Sequence, residues 1–230
     1  MAGWRAIGVI GGMGPAATAD FLARLVIAAS ATSDSDHPRV FVDSNPHVPD
    51  RNAARVGQGP SPGPVLTAMA RALAAQGAEL LAMPCNAAHG WADDIHAAVP
   101  VPFVDMIAAA VVETLALRPQ RVGIIAVGAT LDARLYHHRL ASAGVEAIDC
   151  DLDIVQPLVT RIKAGDTGAD VRAAMAAEAA RLAAAGVDVI IAACTEVPLV
   201  LNAADAPVPL VDATAALVRA VMAAARHPSA

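Results

Sequence analysis

Aromatic side chains are scarce in this chain. Three Phe, two Trp and one Tyr make up 3% of its 230 residues, so the core must be built from Val, Leu, Ile and Ala. The 56% hydrophobic content supplies these in plenty. Three cysteines are no disulfide framework, and their spacing fits no zinc site. No apolar run approaches the roughly 18 residues that a bilayer-spanning helix needs. The N-terminus enters a strand-like run within seven residues and lacks the layout of a signal peptide. Basic residues number 16 against 22 acidic ones, for a net charge of −6 without a basic cluster, which argues against a nucleic-acid surface. The expectation is a soluble cytoplasmic protein with reduced thiols and no membrane partner.

An internal echo is what the sequence does contain. Gly77-Ala-Glu-Leu-Leu-Ala-Met-Pro-Cys85-Asn86 is matched by Gly186-Val-Asp-Val-Ile-Ile-Ala-Ala-Cys194-Thr195, with an acid two residues after each Gly (Glu79, Asp188). Downstream, Pro100-Val-Pro-Phe-Val-Asp105 is matched by Pro207-Val-Pro-Leu-Val-Asp212. Upstream, Ile7-Gly8-Val9-Ile10 is matched by Val122-Gly123-Ile124-Ile125. Similar offsets for all three pairs describe one α/β unit used twice. Two lobes of about a hundred residues, with one such cysteine in each, suggest two thiols facing one cleft.

Apolar strand-like runs alternate with helical stretches. Strands are expected at 6–10, 39–42, 80–83, 103–104, 122–127, 145–148 and 187–192. Helices are expected at 15–30, 65–76, 106–117, 136–143 and 170–185, and a loop of about twenty residues at 45–64. Continuous apolar strands between helices imply parallel sheets covered on both faces. Such sheets bind ligands beyond the carboxyl ends of their strands. Cys85, Cys194, the turn Gly11-Gly12-Met13-Gly14-Pro15 and Gly128-Ala129-Thr130 all fall at such ends. Each of the two cysteines is expected to head a helix, whose N-terminus would favour a thiolate. A free cysteine is commonly a small buried hydrophobe. Equivalent placement of Cys85 and Cys194, each before a polar residue, tips the reading toward function. Cys150 has no counterpart and reads as structural. Gly12-x-Gly14-x-x-Ala17 fits a dinucleotide fingerprint poorly, since Pro15 removes an amide that a pyrophosphate would use.

Together, Ile7-Gly8-Val9-Ile10-Gly11-Gly12-Met13-Gly14-Pro15, Asn45-Pro46-x-x-Pro49-Asp50-Arg51, Met83-Pro84-Cys85-Asn86-x-Ala88-His89 and Cys194-Thr195-Glu196 resemble the aspartate/glutamate racemase family, nearest its aspartate racemase branch. The resemblance implies two pseudo-symmetric α/β lobes, each a parallel sheet flanked by helices, with the active site between them. It places the first lobe at 1–105 plus 207–230 and the second at 106–206. It further implies a homodimer and cofactor-independent racemisation of a small acidic amino acid by two cysteines, Cys85 and Cys194. Inverting a carbon in one site takes a base on each face, one as thiolate and one as thiol. Charge developing on the α-carboxylate must meet fixed donors, for which Asn86, Thr195 and Thr130 are candidates. Arg51 and Lys163 match family residues that would hold a side-chain carboxylate, Arg51 as a fork. Met13 of the Gly-rich turn and Glu196, which stands where the glutamate racemase branch has histidine, complete the expected substrate shell. His89 reads equally as a hydrogen-bonding residue of its own helix or as a ligand contact.

The chain departs from the family at Ala87 and Asn52, where threonine is usual. The loss of a hydroxyl at Ala87 leaves the substrate open. Rival readings are a broad-specificity amino-acid or hydantoin racemase, a maleate isomerase, a malonate decarboxylase (disfavoured by the second thiol), and a non-catalytic dicarboxylate-binding protein.

Overall fold

The computed structural model describes residues 3–226. The chain divides into two compact units, residues 1–106 with 214–230, and residues 107–213.

The first unit runs β1 (Ile7–Gly11), α1 (Pro15–Ala29), β2 (Val40–Ser44), α2 (Arg51–Arg55), α3 (Gly63–Ala75), β3 (Leu80–Ala82), α4 (Ala92–Ala98) and β4 (Phe103–Val104). Its four strands are parallel in the order β2-β1-β3-β4. Met106, the first residue of α5 (Met106–Ala116), closes this stretch of the first unit, and the second unit runs from the rest of α5 through β5 (Arg121–Ile125), α6 (Gly128–Asp132), α7 (His137–Ser142), β6 (Glu146–Asp149), α8 (Leu152–Lys163), α9 (Ala169–Ala184), β7 (Val189–Ala192) and β8 (Leu210–Asp212). Its sheet, β6-β5-β7-β8, is also all parallel and repeats the first sheet's topology. The chain then enters α10 (Ala213–Ala225). Both sheets are covered by helices, as the continuous apolar strands imply.

The echoed residues do the same work in each unit. Gly77 and Gly186 end α3 and α9 with positive φ, a conformation that costs glycine little. Glu79 then accepts the Ala6 N–H at 2.7 Å, and Asp188 accepts those of Gln120 and Arg121 at 2.8 and 2.9 Å. Each acid thereby ties the start of its own Cys-bearing strand to the start of the neighbouring central strand. The two backbone donors hold the Asp188 carboxyl below its usual range. Gly8 and Gly123 sit at matching places in β1 and β5. A Cβ at Gly8 would come within 2.6 Å of Leu81 and 3.2 Å of Leu73, and one at Gly123 within 3.1 Å of Leu182. The missing side chains let α3 and α9 lie close on the sheet.

The sequence reading is corrected in four places. The 45–64 segment contains α2, nucleated by Asp50, whose carboxylate accepts from Ala53 N–H at 2.8 Å. Helix α8, absent from the expected elements, carries Pro157 inside it. The helix forms because Asp151 caps it and Val155, Leu158, Val159 and Ile162 bury one face, with Pro157 turned outward. The return to the first unit does not begin at residue 207: residues 210–212 pair with β7, and the first unit resumes at Thr214. Finally, neither cysteine heads a long helix. Cys85 is followed by a 3₁₀ turn (Ala87–Trp91) before the short α4, and Cys194 by a single 3₁₀ turn (Val197–Leu199). Pro198 lies within that turn, and the chain leaves it for irregular structure rather than a longer helix.

Among the described residues, no helix is long and apolar enough to cross a membrane.

Candidate active site

In the first unit, β3 delivers Cys85 to the carboxyl end of the sheet. The thiol is free and the residue only 4% exposed. Its neighbours Asn86, Ala87 and His89 are also buried, as is Met13 in the turn after β1. That turn is closed on itself: the Gly12 N–H donates to Thr18 Oγ1 at 2.8 Å, and Thr18 donates to the Gly14 carbonyl. With the Gly12 amide used internally and Pro15 lacking one, the turn has few donors left for a pyrophosphate.

Arg51 opens α2, which lies against the turn that follows Cys85. Its Nη1 donates to the carbonyls of Val48 and Pro49 at 3.2 and 3.1 Å, so the guanidinium braces its own loop. Its Nε is buried and finds no hydrogen-bond partner among the described residues. A buried cationic donor left unpaired is costly, and an anion meeting it would offset that cost.

In the second unit, β7 delivers Cys194 to the equivalent place, 5% exposed and free. Its Sγ donates to Glu196 Oε2 at 3.0 Å, and Thr195 Oγ1 donates to the same oxygen at 3.2 Å. Glu196 is buried, and its other oxygen, Oε1, has no partner among the described residues. Burial first, and then the Glu196 charge, push the Cys194 thiol well above its usual range; Lys163, at the end of α8, pulls it back. Thr130 on α6 is 1% exposed, and its hydroxyl has no partner among the described residues. Gln156 of α8, which the sequence reading missed, accepts the Gly128 N–H at 3.2 Å and ties α8 to the start of α6.

Structure and sequence thus bring Cys85, Asn86, Met13 and Arg51 to one end of the first sheet. They bring Cys194, Thr195, Glu196, Thr130 and Lys163 to the matching end of the second. His89 engages backbone atoms through both ring nitrogens, so it does not offer either one to a ligand. Cys150 lies elsewhere. Its Sγ pairs with the backbone of Ala126, and burial pushes its thiol up to about 11. Such a thiol is inert at neutral pH. Among the described residues, no cluster of three or more His, Cys, Asp or Glu is placed to hold a metal ion.

Two parallel four-stranded sheets, each flanked by helices and each with a buried free thiol just past the end of a central strand, define a duplicated α/β fold. The chain belongs to the Asp/Glu/hydantoin racemase family, whose model matches residues 10–221. It is similar to the Picrophilus torridus aspartate racemase, with 26% identity, a TM-score of 0.89, and coverage of 98% of this chain and 96% of that one. It is similar in fold to the Francisella tularensis glutamate racemase, with a TM-score of 0.72 at 21% identity, over 96% and 80% of the two chains. The broad-specificity amino-acid racemase RacX of Bacillus subtilis strain 168 is 23% identical over 222 residues, covering 94% of this chain and 96% of that protein. The protein is accordingly an isomerase of the racemase class.

Proposed function

We propose that this racemase interconverts L- and D-aspartate without a cofactor, using Cys85 and Cys194 as its two bases. The observation that carries the reading is the equivalence of the two thiols, each free, buried, and at the carboxyl end of the same strand of its unit. Similarity to the Picrophilus aspartate racemase supports the choice of substrate.

By the family's pattern, Cys194 takes the Cα proton of the L form as its S–H bond forms, leaving a carbanion whose charge spreads onto the α-carboxylate. Cys85 then gives its own proton to the opposite face and is left as thiolate. The reverse direction exchanges these roles. Before the L form reacts, Cys194 must lose its proton, and Glu196, already its acceptor at 3.0 Å, is the group to take it. The buried Thr130 hydroxyl and Asn86 amide are the candidate donors to the α-carboxylate, and the Thr195 hydroxyl joins them only by releasing Glu196. Arg51, with a buried unpaired Nε, and the cation of Lys163 are the candidates for the side-chain carboxylate.

A second reading is a racemase of broad specificity. Ala87 favours it, because a small apolar residue stands where a hydroxyl would help select one substrate, and RacX supports it by similarity.

Proton NMR in deuterium oxide with a panel of L-amino acids tests both readings. Loss of the Cα–H signal with appearance of the D enantiomer, fastest for aspartate, is the expected result. Comparable loss across neutral amino acids favours the broad reading, and no exchange with any of them removes both amino-acid readings. Cys85→Ala and Cys194→Ala should each abolish racemisation, while Cys150→Ala should leave it nearly intact. Full activity in either of the first two variants rules out the two-base mechanism.

A further inference from the structure

We propose that His89 is a positioning residue for Cys85: a neutral imidazole in a single tautomer that clamps the backbone of the thiol's turn to the start of α5. The inference rests on the reading of Cys85 as a catalytic base, which it deepens.

Both ring nitrogens have partners of fixed polarity. Nδ1 lies 2.8 Å from the Cys85 carbonyl oxygen, which only accepts, so Nδ1 carries the proton. Nε2 lies 3.1 Å from the Met106 backbone nitrogen, whose N–H only donates, so Nε2 presents its lone pair. The two contacts independently require the same neutral tautomer. The ring is 6% exposed and packs at a tilt on Phe103, centroids 5.4 Å apart. Phe103 in turn meets the His96 ring at a right angle, centroids 5.4 Å apart. A charged His89 would set an N–H against the Met106 N–H inside the protein, so the fold opposes the cation.

The clamp acts on the thiol through the main chain. The Cys85 N–H donates to the Met83 carbonyl at 2.8 Å, and the Cys85 carbonyl is held by His89. With the backbone held on both sides of Cα, the direction of the Cα–Cβ bond is set, and the sulfur moves only by rotation about it. Proton transfer between carbon and sulfur is sensitive to displacements of about 1 Å, which can cost a hundredfold. The second unit holds its cysteine differently. The Cys194 carbonyl receives the backbone N–H of Val197 at 3.0 Å, and the residue four past Cys194 is Pro198, which has no side-chain donor. The carbonyl of one cysteine is thus held by a main-chain N–H, whereas that of the other is held by an imidazole that also reaches the next helix.

The first test uses the wild-type protein labelled with ¹⁵N-histidine. Long-range proton–nitrogen correlation spectra, with the His89 signals assigned by their loss in His89→Gln, should show a protonated Nδ1 and a bare Nε2 at neutral pH. An Nε2–H tautomer or a doubly protonated ring overturns the proposal, whether or not any variant folds. The second test is iodoacetamide labelling of His89→Ala and His89→Gln, followed residue by residue by mass spectrometry. His89→Ala should raise the rate at Cys85 at least about fivefold as its turn loosens, and leave Cys194 within about twofold. His89→Gln, whose amide nitrogen and oxygen are spaced much like the two ring nitrogens, should recover part of the difference. Equal changes at both cysteines, or none at Cys85, overturn the proposal. Neither test needs turnover, so both are independent of the substrate assignment. Where racemisation is measured, His89→Ala should lower kcat about tenfold or more while KM stays within about threefold. A raised KM with unchanged kcat would mean that His89 serves binding instead.

Discussion

The thiol of Cys194 donates to the Glu196 carboxylate at 3.0 Å, and both residues are almost fully buried. A thiol beside a carboxylate is held back from ionising, yet has a ready destination for its proton. Glu196→Gln separates these two effects. Removing the negative charge lowers the Cys194 pKa, so iodoacetamide should label Cys194 faster at a given pH. Turnover should nevertheless fall by about a hundredfold or more, because an amide accepts no proton. The loss in kcat/KM must be the same from either enantiomer, since their equilibrium constant is one. Undiminished kcat in Glu196→Gln would show that the carboxylate only stabilises the turn. Lys163→Met should act in the opposite sense on the thiol, slowing its labelling.

Arg51 makes a prediction about selectivity. If its guanidinium meets a side-chain carboxylate, Arg51→Leu should raise KM for aspartate about ten- to a hundredfold relative to a neutral amino acid, the worth of one charge-assisted bond of about 1.5–3 kcal/mol. The ratio of the two substrates is the proper readout. Loss of the braces to Val48 and Pro49 disturbs the loop for both substrates alike. An unchanged ratio between aspartate and alanine would refute the assignment.

Ala87 tests whether a missing hydroxyl limits the rate. Loss of one preorganised donor of the oxyanion-hole type can cost about a hundredfold. Ala87→Thr should therefore raise kcat on aspartate. The position is 8% exposed, so binding must be measured in parallel to detect a clash. Normal binding with flat or reduced kcat would shift the assignment toward a substrate whose bulk lies beside Ala87.

Cys150 links stability to alkaline pH. Its thiol is raised from 9.0 to about 11 in the fold, mainly by burial. Between those values the unfolded chain gives up this proton first and binds fewer protons, so stability falls as pH rises. The contribution is intact below about pH 9 and lost through about pH 11, roughly 2–3 kcal/mol in all. In urea melts, wild type should lose stability relative to Cys150→Ala between pH 8 and 11. Parallel curves for the two proteins across that range would contradict the shift.

The duplication was legible because each echoed residue has a local mechanical duty. Gly77 and Gly186 must end helices, Glu79 and Asp188 must meet backbone amides, and the apolar runs after them must be strands. The family motifs marked both thiols for the same reason: they sit at strand ends. Helix α8 was hidden, and the tolerance of its Pro157 depends on a buried face formed only in the folded unit. The partnership of Cys194 with Glu196 was equally hidden. Residues two apart meet only where the chain turns, and the sequence favoured a helix there. For His89, spacing suggested a helical neighbour of Cys85, but the Met106 contact seventeen residues on had no signature in the pattern.

The first unit is built from both ends of the described chain: Arg5 N–H donates to the Ala225 carbonyl at 2.8 Å, and Trp4 bridges Arg226. During synthesis, therefore, the order of folding is not the order of the sequence. The second unit, continuous from 107 to 213, has all its strands as soon as β8 is made. The first is incomplete until α10 follows. A nascent chain halted after residue 213 should hold a protected second unit beside a protease-sensitive first one.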